Sequence, residues 1–121
     1  MSTTKVKSQK CTFLVSCTLH HGKTDEYLAV MQRVIEYLSK EEPDFLHIEM
    51  MRAEDSPNKI TYLEHWAKPV DAVLKTLSSH QQLGEYLKAI EPLLAEKRHV
   101  EFLQSFGGLW ARTRDGNFSK M

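Results

Sequence analysis

Four segments of the chain have the residue pattern of β-strands. They are rich in β-branched and aromatic residues and are bounded by polar or turn-forming ones. The segments are residues 11–19, 45–52, 60–66 and 98–106. Because turn formers dominate residues 53–59, between the second segment and the third, we expect these two strands to form a hairpin.

Helical periodicity occupies the regions between the strands. From Tyr27 to Leu38, apolar residues recur three and four positions apart, which indicates an amphipathic helix. Thr24 is a suitable N-cap for it, and Pro43 ends it. A short apolar stripe after Pro69 predicts a second helix before the last strand.

A further helix is predicted from a capping box, since Ser79 and Gln82 have the required spacing and Pro92 closes the segment. This box places His80 in the first helical turn, where the dipole disfavours the imidazolium form. A neutral imidazole at that position can accept or orient the proton of a phenol. The alternative is an exposed residue that simply follows a cap.

The order of elements is β-α-β-β-α-β, which predicts an α+β domain of the ferredoxin-like type with an antiparallel sheet. We assign residues 11–106 to this domain, 1–10 to a frayed N-terminus and 107–121 to a C-terminal tail. Helices cover one face of such a sheet, and apolar residues remain for the other. A second copy of the chain is the simplest cover, so we expect a homodimer. The residues assigned to the open face are Val15, Phe45, Met51 and Leu63.

Composition narrows the range of partners. The 121 residues carry 16 basic and 16 acidic side chains, without a basic patch for nucleic acid or an anionic membrane. Cys11 and Cys17 lie too far apart along one strand for a disulfide, and we interpret them as buried thiols in a reducing compartment. The polar N-terminus has no apolar signal region, so we expect a cytoplasmic protein.

The third strand carries the most suggestive polar pattern. In a hairpin centred on Ser56, Tyr62, Glu64 and Trp66 point to one face, which we assign to the helix-covered side. Their expected neighbours on the second strand are Leu46, Ile48 and Met50. A carboxylate there needs a partner, for which Arg52 is a candidate. The group is either the wall of a pocket for a flat aromatic ligand or plain core with Glu64 at an open edge.

The sequence contains two further candidate sites. His47 and His65 can face each other across the hairpin with Glu49 diagonal to them, which would suit zinc or iron. No third ligand has diagnostic spacing, so we interpret them as structural or interface histidines and expect no metal. Met50 can line an adaptable pocket or belong to the core.

The chain resembles the antibiotic biosynthesis monooxygenase (ABM) family. Residues 45–83 carry the similarity, and the order of elements over 11–106 agrees with it. The matching features are a second strand ending in Arg52, the turn Asp55-Ser56-Pro57-Asn58, a third strand closing on Leu63-Glu64-His65-Trp66, and Ser78-Ser79-His80 before the later helix.

This resemblance implies a dimeric α/β barrel with a cavity between sheet and helices in each subunit. It also implies a cofactor-free oxygenase that deprotonates a polycyclic phenol, anthrone or quinol, so that the resulting anion reduces dioxygen, in secondary metabolism. His80 and Glu64 are then the expected catalytic residues. The expected substrate-binding residues are Tyr62, Trp66, Arg52, Met50 and Tyr86.

The chain also departs from the family pattern. Lys75 stands where many members have another histidine, and Val15 stands near the asparagine of the haem-degrading branch, so haem oxygenation is disfavoured. Two alternatives to the monooxygenase remain open. One is a cofactor-free cyclase or isomerase acting on a polyketide-type aromatic compound, and the other is a non-catalytic protein that binds a small molecule.

Overall fold

The computed structural model describes residues 9–114, and its element order confirms the ferredoxin-like prediction. The strands are β1 (Cys11–Thr18), β2 (Phe45–Ala53), β3 (Ser56–Trp66) and β4 (His99–Leu103). The helices are α1 (Thr24–Glu41), α2 (Val70–Ser79) and α3 (Gln81–Ile90), and short 3₁₀ turns follow at Glu91–Leu93 and Gly108–Trp110. Residues 1–8 of the expected frayed N-terminus and 115–121 of the expected tail lie outside the described part.

The four strands form one antiparallel sheet in the order β2-β3-β1-β4. β1 and β3 are therefore central, and β4 forms an edge. Within the described chain the sheet is open and does not close on itself. The three helices cover one face, and a side chain on a central strand that points towards them is the most deeply enclosed in the fold.

The hairpin has the predicted register, with Met50 opposite Tyr62 and Ile48 opposite Glu64. Its turn is tighter than expected, because β3 begins at Ser56 and leaves only two residues after Ala53. At the end of the hairpin away from the turn, a register shift between Phe45 and His47 changes which residues are paired.

Two residues assigned to the open face lie on the helix-covered face instead. The register shift turns Phe45 towards Trp66, with ring centroids 5.3 Å apart, and leaves Leu46 exposed. Val15 pairs with Tyr62 and is buried among the core residues of β1. Leu63, opposite Leu14, and Met51 remain on the uncovered face as predicted.

The core lies between the helices and the alternate residues of β1 and β3. Burial of this apolar surface is the main stabilising contribution to the fold. Both cysteines are buried free thiols, and Cys17 lies 3.6 Å from the hydroxyl of Tyr27. The largest fully buried side chains are Trp66, Tyr27, Leu19, Leu38, Val73 and Cys11.

Two predicted caps are wrong. Thr24 is the first residue of α1, which begins after Lys23 without a side-chain cap. Ser79 is the last residue of α2, and its hydroxyl donates back to the carbonyl of Thr76. Consequently His80 occupies the junction between α2 and α3 in extended backbone conformation, one position before the helical turn in which we expected it.

Among residues 9–114, no helix is long and apolar enough to cross a membrane.

Candidate active site

A cavity of about 170 Å³ lies between the sheet and the helices. Its wall is mostly apolar, and the three helices each contribute aliphatic side chains to it. The polar or charged residues in the wall are Tyr62, Glu64 and Arg98. Four wall residues remain exposed, Val100 and Phe102 on β4, Leu74 on α2 and Leu87 on α3, so the cavity opens between the β4 edge of the sheet and these two helices.

Glu64 is the only buried charged side chain among residues 9–114. Its position follows from strand alternation, because Tyr62 and Trp66 lie two residues to either side and point to the same face. The indole Nε1–H of Trp66 donates a 2.7 Å hydrogen bond to Oε1 of Glu64. Arg52, the partner we expected for this carboxylate, is exposed beside Ile60 and does not line the cavity; that expectation is wrong.

Burial raises the pKa of Glu64 from 4.5 to about 7, and the hydrogen bond from Trp66 opposes part of that shift. Removal from water disfavours the charged form, whereas an N–H donor favours it. The carboxyl therefore changes protonation state close to neutral pH. A group with that property in an apolar cavity is suited to accept a proton from a bound molecule and to return it.

Tyr62 lies between two opposite charges in this cavity. Burial raises the pKa of its phenol, Glu64 raises it further, and Arg98 lowers it. The phenol therefore remains protonated at neutral pH and is available as a hydrogen-bond donor. The cavity thus combines a proton acceptor, a hydroxyl and a cation within an otherwise apolar enclosure.

Trp66 is completely buried and supports Glu64 from behind instead of facing the cavity. Phe45 packs against its ring, and the ammonium group of Lys68 lies 5.5 Å from the ring centroid on a cation–π contact. These contacts fix the orientation of the indole, and with it the hydrogen bond to Glu64.

His80 lies in a separate polar cluster and is not among the residues that line the cavity. Its Nε2 lies 2.9 Å from Oε2 of Glu42, and its Nδ1 lies 2.6 Å from the hydroxyl of Tyr37. Because a carboxylate only accepts, Nε2–H donates to Oε2 of Glu42, and Nδ1 shares a hydrogen bond with the Tyr37 hydroxyl. Both nitrogens are engaged. Its catalytic role remains a prediction that no contact here tests.

Lys68 connects the two groups. Its ammonium lies 3.4 Å from the other oxygen of Glu42 and also contacts the Trp66 ring. His80, Glu42, Lys68 and Trp66 therefore form a continuous series of contacts that ends at Glu64.

The remaining predicted residues are dispersed. Met50 lines a separate groove between β2 and α1, which shares Met31 with the cavity wall. Tyr86 packs edge-on against Tyr37, beside the His80 cluster. The structure thus brings Tyr62, Glu64 and Trp66 together, and it leaves Arg52, Met50 and Tyr86 outside the cavity wall.

His47 and His65 do lie side by side, with ring centroids 5.4 Å apart. They occupy the uncovered face of the sheet, where Nδ1 of His65 is 3.0 Å from the hydroxyl of Thr12. Burial lowers the pKa of His65, as do the nearby charges of His47 and Lys10. Within the described residues, no three His, Cys, Asp or Glu side chains form a group that could hold a metal ion.

Arg98 is the one polar or charged residue of the cavity wall that we did not predict as a site residue. The sequence did contain a signal, since Arg98 precedes Val100 and Phe102 at strand spacing and must share their face. Arginines before a strand are common, however, and only the folded arrangement brings this one beside Tyr62.

The fold and the cavity together define a ferredoxin-like domain that encloses a buried carboxyl in an apolar cavity between sheet and helices. The model of the antibiotic biosynthesis monooxygenase family matches residues 12–92. The chain belongs to this family, as its resemblance indicated. Among curated protein sequences, none matches the chain.

Solved structures agree on the fold. SnoaB, a cofactor-independent oxygenase from Streptomyces nogalater, is 20% identical with a TM-score of 0.71, over 84% of this chain and 98% of that one. A candidate antibiotic biosynthesis monooxygenase from Caulobacter crescentus is 18% identical with a TM-score of 0.72, over 80% and 90%. A Shewanella oneidensis protein is 22% identical with a TM-score of 0.67, over 82% and 93%. At these identities the likeness concerns the fold alone.

Proposed function

We propose that this protein is a cofactor-independent monooxygenase of secondary metabolism that oxidises an aromatic phenol, anthrone or quinol with dioxygen. The observation that carries the proposal is the carboxyl of Glu64, which is buried in an apolar cavity and has a pKa of about 7. Membership of the monooxygenase family supports the same reaction class.

In the proposed reaction the ionised carboxyl of Glu64 removes a proton from the substrate, for instance from the CH₂ group of an anthrone. The hydroxyl of Tyr62 donates to the carbonyl oxygen on the opposite side of the central ring, where negative charge develops. The apolar wall keeps water away from the anion, so that its electrons remain available.

The anion then transfers its electrons to dioxygen, and a C–O bond forms to give a peroxide anion. Protonated Glu64 returns its proton, and the hydroperoxide loses water to leave a carbonyl group. One CH₂ group and one O₂ thus become one C=O group and one H₂O. Glu64 ends ionised, as it began, so the protein supplies the base, the orientation and the dry enclosure.

The size of the cavity limits the part of the substrate that is enclosed. About 170 Å³ is below the range of roughly 300–1,000 Å³ common for ligand pockets. A polycyclic molecule would therefore insert the ring that reacts and extend through the opening beside Val100 and Phe102.

Oxygen uptake by the purified, metal-stripped protein tests the proposal, with a panel of anthrones and hydroquinones under air. We expect uptake that depends on the protein, with one O₂ consumed for each anthraquinone formed from an anthrone and no hydrogen peroxide released. The Glu64→Gln variant provides the matched control, because it preserves shape and the acceptor for Trp66 while removing the base. Uptake that is equal in the variant, or absent with every compound, would overturn the proposal.

A cyclase or isomerase is the second candidate, because the same base and enclosed cavity would serve it. It differs in consuming no oxygen. Conversion of a polyketide-type aromatic substrate under argon, at the rate seen in air, would favour it. Binding without conversion in either gas would favour a non-catalytic small-molecule-binding protein.

We further propose that the active form is a homodimer in the cytoplasm, with the uncovered sheet face as the contact surface. Leu14, Leu63 and Met51 lie on that face, and Met51 is 42% exposed. A second copy would remove these side chains from water.

A further inference from the structure

Arg98 is a cation without an anionic partner in the described structure. It is half-buried at the end of the loop that leads into β4. Among residues 9–114, no carboxylate lies within ion-pair distance of its guanidinium group, although Glu91 and Glu96 line the same outer groove. The carboxylate of Glu96 instead accepts a 2.9 Å hydrogen bond from Thr18.

The position of Arg98 relative to the cavity is specific. It lines both the enclosed cavity and the open groove outside it, and it shares that position with Val100. Arg98 therefore lies at the opening, while Glu64 lies in the wall near Trp66. Tyr62 lies between the two, since strand pairing aligns it with Val15 and Val100, whereas Glu64 aligns with Phe13 and Phe102, further from Arg98.

A partly buried guanidinium costs free energy unless an anion or a set of acceptors compensates it. Its planar donors match a carboxylate in a bidentate arrangement better than they match a neutral oxygen. The remaining cavity wall offers aliphatic and aromatic carbon, which suits a flat ring system. The cavity therefore has the cation of Arg98 at one end, an apolar wall along its length and the carboxyl of Glu64, the proposed base, at the other end.

We propose that Arg98 determines substrate class, selecting aromatic compounds that carry a carboxylate remote from the group that reacts at Glu64. The inference rests on the proposed function for the identity of the reacting group. The recognition of the carboxylate is a property of binding alone, and is tested without turnover.

The test compares two ligands that differ only in charge, 6-hydroxy-2-naphthoate and 6-hydroxy-2-naphthamide, by isothermal titration calorimetry at pH 8 and low salt. We expect the wild-type protein to bind the carboxylate about 10-fold or more tightly than the amide. Arg98→Gln should abolish that preference, chiefly by weakening the binding of the carboxylate. Arg98→Lys should keep part of it, because it retains the charge and loses the planar fork.

Lys97→Gln is the matched control, since Lys97 is the adjacent cation and lines only the outer groove. It should keep the full preference, and thermal melting should show that all variants are folded. Equal affinity for both ligands, the same loss in Lys97→Gln, or no binding of either ligand at millimolar concentration would each overturn the inference.

Failure of this inference is distinguishable from failure of the proposed function. If the preference for the carboxylate depends on Arg98 but the protein consumes no oxygen with any phenol, the proposed ligand class stands and the proposed oxygenase function is wrong. If the protein consumes oxygen only with neutral quinols, and Arg98→Gln does not change this uptake, the oxygenase function stands and the inference about Arg98 is wrong.

Discussion

The indole of Trp66 holds the carboxyl of Glu64 through a 2.7 Å hydrogen bond between two positions on one face of β3. A buried carboxylate is usually accompanied by a cation, which would keep it ionised at low pH. Here the donor is neutral, and burial outweighs it. The pKa of Glu64 consequently lies at about 7, which is the basis of the first three predictions below.

Removal of the carboxylate should abolish the proposed base. For Glu64→Gln we expect kcat to fall by about 100-fold or more, with little change in KM, because the amide occupies the same space and still accepts from Trp66. Steady-state oxygen uptake measures both constants. Glu85→Gln, at an exposed position on α3 outside the cavity wall, is the control and should retain full activity. A fully active Glu64→Gln protein would show that the base lies elsewhere.

Loss of the Trp66 hydrogen bond should move the pH profile of activity. In the wild-type protein kcat/KM should rise with pH and level off above about 7, since only the ionised carboxyl accepts a proton. The Trp66 donor lowers the pKa of Glu64, so Trp66→Phe should raise that pKa and shift the profile to higher pH. A shift to lower pH, or none, would contradict this coupling. The smaller ring should also reduce stability by about 1–3 kcal/mol.

Stability should depend on pH in the direction set by the raised pKa. Between pH 4.5 and about 7 the folded protein holds a proton on Glu64 that the unfolded chain has released. The contribution of this group to the free energy of unfolding is therefore complete below pH 4.5 and is lost as pH rises through 7, by about 3 kcal/mol in total.

Urea unfolding of the wild-type protein and Glu64→Gln from pH 4.5 to 8 measures that contribution, because the variant lacks the titrating group. As pH increases, the free energy of unfolding of the wild-type protein should fall relative to that of Glu64→Gln. A difference that is constant with pH would mean that Glu64 titrates normally.

Replacement of His80 should weaken activity less than replacement of Glu64. His80→Ala removes the partner of Tyr37 and of one oxygen of Glu42, a loss of about 1–3 kcal/mol in stability. It leaves the cavity wall intact, so the transition near pH 7 should persist in the pH profile of kcat/KM. If His80→Ala instead abolishes turnover while Glu64→Gln does not, His80 is the base and the assignment to Glu64 is wrong.

A charge on the uncovered sheet face should dissociate the proposed dimer. Leu63 lies opposite Leu14 there, and Leu63→Glu would place a carboxylate in the contact without disturbing the helix-covered core. Sedimentation velocity should give a dimer for the wild-type protein and a monomer for the variant. Leu28→Glu, an exposed position on α1, is the control and should remain dimeric. A monomeric wild-type protein would overturn the proposal.

Strand alternation explains why part of the site could be predicted from the sequence. Tyr62, Glu64 and Trp66 must share a face whatever surrounds them, and the hairpin register followed from turn residues centred near Ser56. The hydrogen-bond partner of Glu64 could not be derived in the same way. Arg52 and Trp66 were both within reach along the strands, and only the three-dimensional arrangement selects the indole.

Local signals failed where tertiary contacts decide. The Ser79–Gln82 spacing of a capping box occurs without the box, since Ser79 ends one helix and His80 is held by Tyr37 and Glu42 from α1 and its C-cap. A register shift near Leu46 reversed Phe45, because one extra residue in a strand exchanges the two faces. Neither event has a signature in the residues themselves.

The contact between Trp66 and Glu64 also makes the site observable by fluorescence. The chain has two tryptophans, and Trp110 is 75% exposed whereas Trp66 is completely buried. In a Trp110→Phe protein, all indole emission would come from the residue that donates to the proposed base. A change in the charge of Glu64 alters the electric field at that ring, so the emission wavelength would report the protonation state of the carboxyl directly, without substrate and without turnover.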